Sequence, residues 1–133
     1  MATIPAGGAA NAPGFQEATL AVANLATAQT GNGPTTNVVD RGTALEPVVL
    51  QISTAVGATP TCTYLVEGSV DGSTFFPIQN ADAANPGTLV ITTFVITTAT
   101  IVRRLIPRDV PVRYIRVTFS ANTNVTNTVD AYV

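Results

Sequence analysis

Three stretches of this chain alternate inward and outward side chains with a period of two. That pattern leaves little room for anything but half-buried antiparallel strands. In 46–56 (EPVVLQISTAV), Val48, Leu50, Ile52 and Val56 share one face, while Gln51 and Ser53 point away. In 61–70 (TCTYLVEGSV), Cys62, Tyr64 and Val66 fall on one side and Thr61, Thr63 and Glu67 on the other. In 112–121 (VRYIRVTFSA), Ile115, Val117 and Phe119 oppose Tyr114, Arg116 and Thr118. Thr and Val dominate from Phe15 onward, and their stiff β-branched side chains suit a pleated surface. Residues 126–133 make a last strand. The one stretch with a helical cast, 16–29 (QEATLAVANLATAQ), alternates at Leu20 and Val22 and is also read as strand.

Turn chemistry separates these runs. Asp71-Gly72, between an alternating run and Phe75-Phe76-Pro77-Ile78, signals a hairpin. Asn32-Gly33-Pro34 and Asn85-Pro86-Gly87 mark two further connections. Several short strands with regularly spaced turns predict an all-β fold, an antiparallel β-sandwich of jelly-roll or Ig-like topology. Residues 1–14 contain almost only Ala, Gly, Pro and small polar residues, too little apolar area to offset the entropy of ordering. The expected organisation is therefore a flexible N-terminal arm, 1–14, and a sandwich domain, 15–133.

The stretch 89–105 (LVITTFVITTATIVRRL) departs from simple alternation. Leu89, Ile91 and Val95 share one face and Val90, Phe94 and Ile96 the other, so both sides need a cover. Either it is a central strand between layers (or two strands joined at 97–100), or its second face meets another subunit.

Chemistry is excluded more readily than it is assigned. The 133 residues include no His and no Lys, which removes His-based nucleophile activation, Schiff-base chemistry and a phosphate-loop lysine. A single Cys and no imidazole leave no zinc site. The eight carboxylates, Glu17, Asp40, Glu46, Glu67, Asp71, Asp82, Asp109 and Asp130, are scattered rather than clustered, so a glycosidase pair has no sequence support. Asp71-Gly72-Ser73 lacks the spaced oxygen ligands of a calcium loop and is read as a turn. The chain is expected to be non-enzymatic and to carry no cofactor.

Charge directs attention to partners. Only 11% of residues are charged against 46% hydrophobic, where soluble domains carry about 25% charge. A net charge of −2 and few aromatics argue against nucleic acid, and no apolar run reaches the ~20 residues of a membrane span. The N-terminus has no basic region followed by an apolar one, so a signal peptide is not expected. The lone Cys62 fits an intracellular protein independent of disulfides. Arg103, Arg104, Arg108, Arg113 and Arg116 crowd one stretch; they either form intramolecular salt bridges at a solvated rim or pair with carboxylates across an interface. On a strand, Arg103 and Arg104 would project to opposite faces. A surface so poor in charge fits one covered in an assembly.

Quoted in order, Asn37-Val38-Val39-Asp40-Arg41-Gly42, then Thr59-Pro60-Thr61 leading through Glu67-Gly68-Ser69-Val70-Asp71-Gly72-Ser73-Thr74-Phe75, then Arg113-Tyr114-Ile115-Arg116-Val117, the segments resemble those of small β-sandwich virion proteins of tailed bacteriophages. The hairpin and the arginine-led strand also occur in discoidin-like sugar-binding sandwiches, whose aromatic binding loops are not recognisable here. The phage resemblance implies a decoration, or cement, protein, which binds the outside of the shell and bridges neighbouring major capsid proteins, often as a homotrimer. It implies a place on the capsid surface of a virion assembled from protein made in the host cytoplasm. A tail, baseplate or head-tail connector subunit is the structural alternative, and a carbohydrate-binding surface module the alternative of another class. Candidate partner contacts, chosen from the residues and not from the family, are Ile4, Pro5 and Pro13 in the arm, with Phe94, Ile96, Arg103, Arg104 and Arg108.

Overall fold

A computed structural model of the chain describes residues 22–81 and 84–133. The expected arm, 1–14, and the boundary at residue 15 lie outside the described residues. The described chain is all-β and antiparallel. In order, its strands are β1 (Val22–Gln29), β2 (Gly33–Pro34), β3 (Val39–Asp40), β4 (Val48–Ser69), β5 (Phe76–Pro77), β6 (Gln79–Ala81), β7 (Leu89–Ile91), β8 (Phe94–Ile96), β9 (Ile101–Ile106) and β10 (Tyr114–Tyr132).

Two long strands organise everything else. β4 and β10 pair along their whole lengths, from Tyr114 opposite Ser69 to Tyr132 opposite Val49. Both bend at the same level, so one hydrogen-bonded sheet doubles over into two layers. The first layer runs β1–β10–β4–β9, using the C-terminal half of β10 and the N-terminal half of β4. The second uses the other halves, with β2 and β3 beside β10 and with β5 and β8 beside β4. β6 and β7 form a separate two-stranded ribbon. The predicted strands 46–56 and 61–70 are thus two arms of one bent strand, as are 112–121 and 126–133.

The bend has a local cause. Register slips between Ser120 and Thr123 and again between Thr123 and Val125, and the backbone is left-handed at Thr59, Ala121 and Asn124 (φ 44, 50 and 55°). Extra residues in one strand of a pair bend it. Asparagine side chains hold the corner in place of ladder bonds: Asn122 donates to the Val125 carbonyl at 2.9 Å and accepts from the Val125 amide at 3.1 Å, and Asn124 donates to the Ala58 carbonyl at 2.6 Å.

Between the layers lies one core. Val48, Leu50, Ile52, Cys62, Tyr64, Val66, Ile115, Val117 and Phe119 are buried as their alternation predicts. Val56 is the exception: it stands at the bend and is partly exposed, although its register partner Val125 is buried. Leu25, Val125, Val129 and Ala131 join them, with Ala26, Val39, Ile96, Ile106 and Val112. Burial of each large aliphatic side chain contributes about 1.5–3 kcal/mol.

A buried cation ties the loops at one end. Arg41 is only 1% exposed, and its guanidinium donates to five backbone carbonyls: Glu46 at 2.8 Å, Leu45 at 3.2 Å, Pro107 at 2.8 Å, and Val110 and Val112 at 2.7 Å each. Five fixed donors match five acceptors, so every N–H of the group is used. Desolvation lowers its pKa from the ordinary arginine value. The expected Asp71-Gly72 turn is present. Asp71 Oδ1 accepts from the amides of Ser73 and Thr74 and from the Ser69 hydroxyl, each at 2.8 Å, while Gly72 takes φ +80°. Those bonds hold the Asp71 carboxyl at a pKa of about 2.

Candidate interaction surfaces

Strand register decides what the outer face of the first layer presents. Val22 faces Tyr132, Tyr132 faces Val49, and Val49 faces Leu105, so one apolar row crosses all four strands. Its ends are open to solvent, Val22 at 59% and Leu105 at 66%. The next row is polar: Asn24, Asp130, Gln51 and Arg103. Within it Asn24 donates to Asp130 at 2.9 Å and Arg103 to Gln51 at 3.0 Å. Beyond it come Thr128, Ser53 and the exposed Ile101. The outer face of the first layer thus sets one apolar row beside one polar row.

The stretch 89–105 resolves into β7, β8, the connection 97–100 and β9. Its alternation is as expected. Leu89, Ile91 and Val95 are exposed, Val90 and Phe94 half-buried, and Ile96 buried. Ile96, expected among the partner contacts, pairs with Cys62 and belongs to the core at 3% exposure, so its side chain does not reach the surface of this chain. Ile4, Pro5 and Pro13 lie outside the described residues.

The arginines separate into distinct groups. Arg108 pairs with Glu46 at 3.1 Å, Arg113 with Asp40 at 2.7 Å and Arg116 with Glu67 at 2.8 Å. All three are intramolecular; the first two are exposed and the Arg116–Glu67 pair is partly buried. Arg113, with the Gly42 amide, holds the Asp40 carboxyl at about 2. Arg116 also lies 3.9 Å over the Phe75 ring, and Thr118 shares its carboxylate by donating to Glu67. Arg103 and Arg104 project to opposite faces of β9, as strand geometry requires, and neither meets a carboxylate among the described residues.

Arg104 is the more constrained of the two. It lies opposite Leu50 in an inward row, at the open margin between the layers. Its guanidinium carbon stands 3.5 Å from the centre of the Phe94 ring, and its Nε donates to the Tyr64 hydroxyl at 3.0 Å. Tyr64 stacks on Phe94 in turn, with ring centres 5.1 Å apart. Tyr64 is 1% exposed and burial pushes its phenol up, so it offers no open ring face to a sugar. Beside this stack is a cleft of about 230 Å³ lined by Val66, Ile78, Thr92, Phe94, Arg103, Arg104, Leu105 and Ile106.

Sequence reasoning missed the role of Arg41 and the Tyr64–Phe94–Arg104 stack. Alternation placed Tyr64 and Phe94 on particular faces, but nothing local joins positions 40 apart. Among the described residues no group of three or more His, Cys, Asp or Glu side chains could hold a metal ion, and no helix is long and apolar enough to cross a membrane. The single Cys62 is buried, which raises its thiol pKa.

No family model matches the chain, and no curated protein matches it. Among solved structures it is similar to the SPBc2 prophage-derived protein YomS, with a TM-score of 0.58 over 86% of this chain and 92% of that one. The two sequences are 6% identical, so what they share is the all-β fold.

Proposed function

We propose that this chain is a non-enzymatic bacteriophage virion protein of the decoration type, binding the outer capsid shell and bridging neighbouring major capsid subunits. The observation that carries the reading is the apolar row Val22–Tyr132–Val49–Leu105 across an open sheet face. A chain with six arginines and eight carboxylates has little charge with which to keep such a face in water. A fold in common with a prophage-derived protein agrees with a phage source. The partners in this reading are the major capsid protein and copies of the chain itself, as a homotrimer, with neither nucleic acid nor membrane. Its place is the capsid surface of the virion, after synthesis in the host cytoplasm.

Mechanically, this needs only burial. A contact of about 1,600 Å² suffices for specific association, and repetition over a shell adds avidity. Sedimentation of the purified protein with and without stripped capsids tests it. Co-pelleting in numbers matching the capsomers is the expected result. A few copies per particle indicates a tail or connector subunit instead, and absence from the pellet overturns the proposal.

A further inference from the structure

We infer that the cleft beside β9 is a receptor for an acidic side chain carried on an extended segment of a partner protein, with Arg104 as the carboxylate-binding group. This names the chemistry of a partner contact, and so rests on the reading that the chain works by binding another protein.

The six arginines are satisfied in different ways. Arg41 spends all its donors on carbonyls, and three others hold carboxylates. Arg104 has one bond, from Nε to Tyr64, and its two terminal amino groups have no hydrogen-bond partner among the described residues. Those two nitrogens form the fork that a carboxylate takes bidentately. The group is also held still. Phe94 supports its plane at 3.5 Å and Tyr64 fixes its inner edge, so little rotamer freedom is left to lose on binding.

The surroundings describe the rest of the ligand. Val66, Ile78, Phe94 and Ile106 supply the apolar part of the cleft wall, Thr92 and the arginines the polar part, and about 230 Å³ accommodates a carboxylate side chain with one apolar neighbour. β9 pairs with β4 alone among the described residues, which leaves its other backbone edge unpaired beside the cleft. An extended segment can add to such an edge through main-chain hydrogen bonds while one side chain enters the neighbouring pocket. Arg103, on the opposite face of β9, strengthens the local positive field without being aimed at the same carboxylate.

The test uses the full chain and two capped five-residue peptides, Val-Thr-Glu-Val-Thr and its glutamine counterpart, titrated against the ¹⁵N-labelled protein. The glutamate peptide is expected to shift the amides of residues 101–106 and the Arg104 side-chain N–H signals. The glutamine peptide should bind at least about tenfold more weakly, the value of one charge-assisted pair. Arg104→Gln should remove that preference and Arg103→Gln should retain it. Equal binding of the two peptides, no shift along β9, or a preference that survives Arg104→Gln overturns the inference. The peptide comparison on the unaltered protein needs no variant to fold, and free acetate, expected to shift only the Arg104 side chain, separates the carboxylate from the strand. None of these outcomes depends on capsids, so failure here leaves the decoration reading standing, and loss of capsid binding leaves this one.

Discussion

Arg104 and Tyr64 stand 40 positions apart in the chain and in opposite layers of the sandwich, yet the arginine Nε donates to the tyrosine hydroxyl at 3.0 Å. The bond links β9 to the far arm of β4 across the margin between the layers, and removing the acceptor alone isolates its worth. Tyr64→Phe keeps the ring stack with Phe94 and should cost about 1–2 kcal/mol, the range of a bond to a charged but partly solvated group. Urea unfolding measures it, and a variant as stable as the parent would show that the margin is held by packing alone.

Arg41 should be the least replaceable polar residue. Arg41→Met leaves five carbonyls without their donor, that of Val112 buried and the others partly so, and is expected to cost at least about 3 kcal/mol. Arg41→Lys should rescue little, because an ammonium has three donors where the guanidinium has five in a fixed plane. Thermal denaturation of both variants checks the order.

Gly68 is needed for space rather than for backbone freedom. A Cβ at that position would stand 2.7 Å from Val112 Cγ2, and Val112 is buried with its carbonyl bound to Arg41. Gly68→Ala should therefore destabilise by about 1–3 kcal/mol through overpacking. An unchanged unfolding midpoint would refute the close approach.

Acid should weaken the fold through two turns. Asp40 and Asp71 are held at about 2 in the folded chain, below the ~3.9 of an unfolded aspartate. A depressed folded pKa contributes stability that is present above the unfolded value and lost as pH falls from about 4 towards 2. Both carboxylates are exposed, so the effect should be small and should shrink with salt. Unfolding midpoints across pH 2–6 for the parent and for Asp40→Asn should converge at the acid end. Parallel curves would disprove the linkage.

Leu105 and Ile106 are neighbours in sequence on opposite faces, and substitution should separate assembly from stability. Leu105 is 66% exposed at the end of the outer apolar row, so Leu105→Ser should change unfolding by no more than about 0.5 kcal/mol while weakening capsid binding. Ile106 is 6% exposed, and Ile106→Ala should cost about 2–5 kcal/mol. Capsid binding unaffected by Leu105→Ser would remove the row from the contact.

How much of this was legible in advance follows from the range of the forces involved. Alternation is local, so the inward directions of Leu50, Tyr64 and Val117 could be read directly. So could the Asp71 turn, whose acceptor reaches only to Ser73 and Thr74. Opposite directions for Arg103 and Arg104 followed from strand geometry alone. Tertiary structure decided the rest. A doubled-over sheet depends on two strands slipping register at the same level, which no single segment encodes. The row from Val22 to Leu105 exists only once four strands are aligned, and Arg41 becomes an anchor only when carbonyls up to 71 positions away converge on it. Side-chain periodicity determines which way each residue faces, while the long-range pairing of backbone determines what it faces.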